Sequence, residues 1–137
     1  MTDPELLEKK LAFIETCVSE LHRLAQPELI ESDVREERFV AHTLQLAIQA
    51  AIDIASHIVS DQRLGEPETN RDLFRLAGHW IDLPEGLTDA LQKMAGFRNI
   101  LVHGYQTVDR RILRDVLEHH MQDLLDYVTF VRAKPFT

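Results

Sequence analysis

The chain has 137 residues and a formal charge of −8. That length suits a single domain, 1–137, with one hydrophobic core, and 45% apolar residues argue against disorder. The acidic balance excludes a long basic surface for nucleic acid, so any RNA contact must be local, and it equally allows a basic protein partner. Cys17 is the one cysteine, which excludes an internal disulfide. No basic-then-apolar leader opens the chain, and no apolar run approaches the ~20 residues of a membrane span. A cytoplasmic protein with no membrane contact is the expectation.

The first helix is expected from Pro4 to Leu24, with Asp3 or Thr2 as cap and a stripe of Leu7, Leu11, Ile14, Val18 and Leu21. Pro27 ends it, and Cys17 reads as a small core residue. A second helix is expected from about Asp33 to Asp61, roughly 40 Å long at ~1.5 Å per residue, with a looser turn near Glu28. It is apolar around most of its circumference. A polar line of His42, Gln45, Gln49, Asp53, Ser56 and Ser60 breaks that surface. The line is either a solvent face or, because it carries few full charges, a half-buried cleft or dimer interface.

Residues 61–84 read as a connection punctuated by Gly65, Pro67 and Pro84, holding a short helix from Arg71 to about Gly78 capped by Thr69 or Asn70. A third long helix is expected from Pro84 to about His103, where Gly104 can end it. A fourth runs from about Val108 to Ala133, with His120 on its apolar stripe as a core histidine. The fold class is therefore all-α, a bundle of four long helices and one short one.

Chemistry is scarce. The sequence has no Glu-x-x-His pair, no His-Glu-x-x-His and no cysteine pair, so no metal is expected. It has no Gly-rich phosphate loop and no Gly-x-Ser-x-Gly, so no nucleotide cofactor or serine nucleophile is expected either. What stands out is Arg98-Asn99-Ile100-Leu101-Val102-His103-Gly104-Tyr105. Arg98 occupies an apolar seam of Leu87, Leu91, Met94, then Leu101 or Val102, and Tyr105. A guanidinium cannot be deprotonated and is costly to bury alone. It therefore has a buried carboxylate partner, for which Asp53 is the candidate, or it faces a cleft or subunit interface. Arg98 and His103 lie about 140° apart on an ideal helix, whereas Asn99 and His103 share a face. A guanidinium for phosphate and an imidazole for proton transfer are enough to cut RNA without a metal. Lys93, Arg98, Arg110, Arg111 and Arg114 make this region locally basic.

The segment Met94-Ala-Gly-Phe-Arg-Asn-Ile-Leu-Val-His-Gly-Tyr105 resembles the Arg-x4-His signature of the HEPN superfamily, and more closely the Arg-x4-His-x-Tyr form of its HepT-like toxins. Leu46-Ala-Ile-Gln-Ala-Ala-Ile-Asp-Ile-Ala-Ser-His57 resembles the same branch, as does the helical layout of nearly the whole chain. The resemblance implies a homodimer with two signature segments facing one cleft. It also implies metal-independent cleavage of RNA, with Arg98, His103 and Asn99 as the catalytic set. It further implies a minimal nucleotidyltransferase antitoxin as partner, which silences the toxin by transferring AMP to Tyr105. The alternative is a non-catalytic helical partner of a nucleotidyltransferase, in which Arg98 and Tyr105 dock that enzyme.

Overall fold

A computed structural model describes residues 3–103 and 109–135, with His103 described by its backbone alone. Its helices, in chain order, are α1 (Pro4–Leu24), α2 (Val34–Asp61), α3 (Asn70–Ile81), α4 (Glu85–His103), α5 (Arg110–His119) and α6 (Met121–Ala133). A 3-10 turn at Pro27–Leu29 leads into α2, and no strand occurs among the described residues. The all-α expectation therefore holds.

Side-chain caps set the starts. Asp3 accepts from the backbone N–H of Glu5 at 3.0 Å, Asp33 from Arg35 at 2.9 Å, Thr69 from Asp72 at 3.2 Å and Asp109 from Arg111 at 2.9 Å. Each satisfies a donor that the first helical turn leaves without an internal partner. The end of α3 is fixed by Asp82 in the left-handed region, φ 64°, while the Leu83 N–H returns to the Gly78 carbonyl at 2.9 Å. Gly78 also lets α3 lie close on α4, because a Cβ there would stand 2.9 Å from Thr88 Oγ1.

The central element is α2, which packs against α1, α3, α4 and α5. Val40, Leu44, Ile48, Ile54 and Ile58 on it are fully buried. By length and composition α2 could cross a membrane, but here its apolar surface is used against neighbouring helices. Tyr127 on α6 reaches this core. It is fully buried, its hydroxyl donates to the Ala51 carbonyl at 3.0 Å, and Phe74 meets its ring edge-on at 5.7 Å. Cys17 is buried as expected.

The fourth long helix expected over 108–133 is instead two helices. The chain breaks at His120, with φ −121° and ψ 4°. The reason lies in packing, since α5 rests on α2 and the 3-10 turn, whereas α6 rests on α1 and α4. One straight helix cannot serve both surfaces. His120 is accordingly no core histidine. Its ring is part-exposed at the joint, with Nδ1 3.0 Å from Asp123 Oδ2 and Nε2 3.6 Å from Asp115 Oδ2.

Candidate active site

The end of α4 carries the candidate residues Arg98 and Asn99 and the backbone of His103. Leu91, Met94, Ala95 and Leu101 are buried and turn one side of α4 into the core, as their spacing requires. Arg98 shares that side and is half-buried. Asn99 and Ile100 lie on the outer side and are exposed, Ile100 by 48%. Position 103 follows Asn99 by one helical turn and shares its face. Tyr105 and the His103 side chain lie outside the described residues.

The Arg98 guanidinium bends toward this outer face. Its Nη1 donates to Asn99 Oδ1 at 3.3 Å. Its Nε is buried and has no hydrogen-bond partner among the described residues. The expected partner is engaged elsewhere. Asp53 receives Lys10 of α1 at 3.5 Å on one oxygen and Gln49 Nε2 at 2.9 Å on the other. Asp53 therefore sits on the rim of α2 that faces α1, and the contact expected between it and Arg98 is replaced by the one to Asn99.

The locally basic region also divides. Arg110 pairs with Glu37 at 2.9 Å, Arg111 with Asp109 at 3.4 Å, and Arg114 with both Glu118 at 2.6 Å and Glu31 at 3.4 Å. These three arginines tie α5 to its own ends and to the start of α2, and each has a carboxylate partner. The bond to Glu118 heads the causes that push the Arg114 guanidinium above its ordinary range. Arg98 has no carboxylate of that kind among the described residues.

A cavity of about 480 Å³ lies between α4 and α5, lined in part by Asp89, Lys93, Phe97, Ile112 and His120. It is on the wrong side of α4 for this chemistry. Phe97 and Asn99 are two residues apart and so point in nearly opposite directions. Among the described residues no three histidine, cysteine or carboxylate side chains gather as a metal site.

Residues 14–131 match the family model described as "Ribonuclease HepT-like". The chain belongs to the HepT-like ribonuclease family. It is 32% identical over 131 residues to the mRNA nuclease HepT of Shewanella oneidensis, covering 95% of this chain and 98% of that one. It is 31% identical over 109 residues to the tRNA nuclease HepT of Aphanizomenon flos-aquae, covering 78% and 74%. Among solved structures, the tri-AMPylated Shewanella oneidensis HEPN toxin in complex with MNT antitoxin superposes with a TM-score of 0.87 at 32% identity. That match covers 96% of this chain and all of the other. The HEPN resemblance read from the signature segment and from α2 is thereby established for the fold and the family. In this HepT-like member Arg98 and Asn99 sit near the end of the helix that packs on α2.

Proposed function

We propose that this chain is the toxin of a type VII HEPN/MNT toxin–antitoxin module, a metal-independent endoribonuclease that acts as a homodimer in the cytoplasm. The observation that carries the reading is the Arg98 guanidinium. It is half-buried, it bonds a neutral amide, and its Nε is orphaned among the described residues. A buried charge without a carboxylate is costly unless an anion completes it, and a phosphate oxygen pair fits the guanidinium fork.

The reaction follows from that placement. The ribose 2′-oxygen attacks the adjacent phosphorus as a base removes its proton, and the 5′-oxygen leaves as an acid protonates it. Products are a 2′,3′-cyclic phosphate and a free 5′-hydroxyl. Arg98 stabilises the charge that builds on the phosphorane. Each chain supplies one imidazole, His103, so two copies facing one cleft supply both base and acid. Asn99 holds Arg98 in line. The half-exposed polar line of α2 and exposed Leu46 give the second copy a face to meet.

Inactivation comes from a minimal nucleotidyltransferase antitoxin that adds AMP to Tyr105. The AMPylated state of the Shewanella oneidensis toxin, in complex with its MNT antitoxin, supports that step. An adenylylated phenol two residues past His103 brings a phosphodiester that competes with RNA for Arg98.

The test is purified dimer with RNA in EDTA, beside Arg98→Ala and His103→Ala. Cleavage should persist in EDTA, end in cyclic phosphate or its 3′-phosphate product, and drop by about 10²–10⁴-fold without the imidazole. Full activity in His103→Ala, or no cleavage by wild type under any condition that keeps it unmodified, overturns the reading.

A further inference from the structure

Arg71 opens α3 and is exposed, and its guanidinium lies across Gly96 of α4. A Cβ built on Gly96 would stand 2.6 Å from Arg71 Nη2, and the next nearest atoms, Cζ at 3.4 Å and Nε at 3.5 Å, also belong to Arg71. The bare helix at Gly96 therefore lets that guanidinium lie directly on α4. Gln92, one turn earlier, donates to the Arg71 carbonyl at 3.2 Å and holds the start of α3 against the same face. No carboxylate among the described residues pairs with this guanidinium, in contrast to Arg110, Arg111, Arg114 and Arg132.

Helical register completes the geometry. Gly96, Asn99 and position 103 share the outer face of α4, about 10 Å from first to last at ~1.5 Å per residue. Arg98 reaches the same face through its bond to Asn99. Gly96, on which the Arg71 guanidinium lies, is one turn before Asn99 and two turns before position 103 along α4.

We propose that Arg71 is an RNA-backbone-binding residue that holds a phosphate next to the scissile one, where α3 meets α4 beside Gly96. The assignment rests on the ribonuclease reading above. Its role is to anchor the strand so that the reacting phosphate meets Arg98. A phosphate contact positions the strand without reading its sequence.

The experiment measures binding by fluorescence anisotropy, with a labelled single-stranded RNA whose 2′-oxygens are methylated so that it cannot be cut. Dissociation constants are taken across a salt series for wild type, Arg71→Ala, Arg71→Lys, Gly96→Ala and Lys9→Ala. Lys9, on the first turns of α1, is an exposed charge control whose ion-pair partner among the described residues is Glu5. Losing one phosphate contact should lower the slope of log affinity against log salt by about 0.7, the single-strand value. Arg71→Ala should show that drop and weaken binding alike for unrelated sequences. Arg71→Lys should keep the slope. Gly96→Ala should lower the slope by less than Arg71→Ala, because its Cβ only pushes the flexible guanidinium aside while alanine favours the helix. A slope unchanged in Arg71→Ala, or lowered equally in Lys9→Ala, overturns the assignment. Wild type that binds no RNA at all overturns the parent reading as well, and the two failures are thereby told apart.

Discussion

Arg98 donates from Nη1 to the side-chain oxygen of its own neighbour, Asn99, across 3.3 Å. The acceptor is neutral, so the guanidinium keeps its whole charge for an incoming anion. A carboxylate at the same place would take that charge away. Asn99→Asp should therefore weaken RNA binding by about tenfold or more, the scale of one charged hydrogen bond. Asn99→Ala should do less harm, because it loosens Arg98 without neutralising it. Binding titrations with uncuttable RNA decide the order, and an aspartate variant that binds better than the alanine one contradicts it.

Tyr105→Phe keeps the ring and removes the acceptor oxygen. The variant should cut RNA as wild type does yet escape the nucleotidyltransferase, and stay toxic when both are expressed. Intact-mass spectrometry after co-expression should show AMP additions on wild type and none on the variant. Additions that remain and map to other side chains defeat the assignment of Tyr105.

Tyr127→Phe addresses the core. The hydroxyl is fully buried and donates to the Ala51 carbonyl at 3.0 Å. Burial pushes this phenol far above its ordinary range, so it remains a donor at every accessible pH. Removing it should cost about 1 kcal/mol, since the carbonyl keeps its helical partner. Urea unfolding should show a lower midpoint with an unchanged slope. A midpoint at or above that of wild type goes against this account.

Arg132 ties α6 to α1 through two carboxylates, Glu8 at 2.6 Å and Glu15 at 2.6 Å. Hydrogen bonds from Arg132, aided by its charge and opposed by desolvation, hold both carboxyls below their ordinary value of 4.5. Groups with depressed folded-state values contribute stability that is present above 4.5 and lost as pH falls through the lower folded value. Arg132→Gln should therefore lower stability above about pH 5, modestly because the pair is well exposed and solvent-screened, and the difference from wild type should fade as pH falls toward about 3. Parallel melting curves of variant and wild type from pH 7 to 3 that differ by a constant would refute the clamp.

Apolar spacing made most of this fold legible. The stripe from Leu7 to Leu21 placed α1, and the near-continuous apolar surface of α2 marked the helix that others surround. Pro84 and the seam from Leu87 placed α4. The break at His120 was invisible because neither proline nor glycine marks it. It arises from where α5 and α6 must pack, which a one-dimensional period does not contain. The same limit explains the site. Arg98 announced itself as a charge on an apolar seam. Asp53 looked like its partner because both lie on helices that pack together, but Lys10 and Gln49 reach it. Arg71 carried no signal at all, for an arginine in a first turn is ordinary until Gly96 is seen beneath it.

Cys17 has a further consequence. Its side chain is 4% exposed, and burial pushes the thiol up to about 11, so the thiolate that reacts with disulfides and peroxides is a trace species near neutral pH. A disulfide between two copies through it is therefore disfavoured. The dimer proposed above would then form by mass action, and protein concentration would itself be a dial on activity. Synthesis and degradation would turn that dial on the scale of cell growth, independently of the redox state around it.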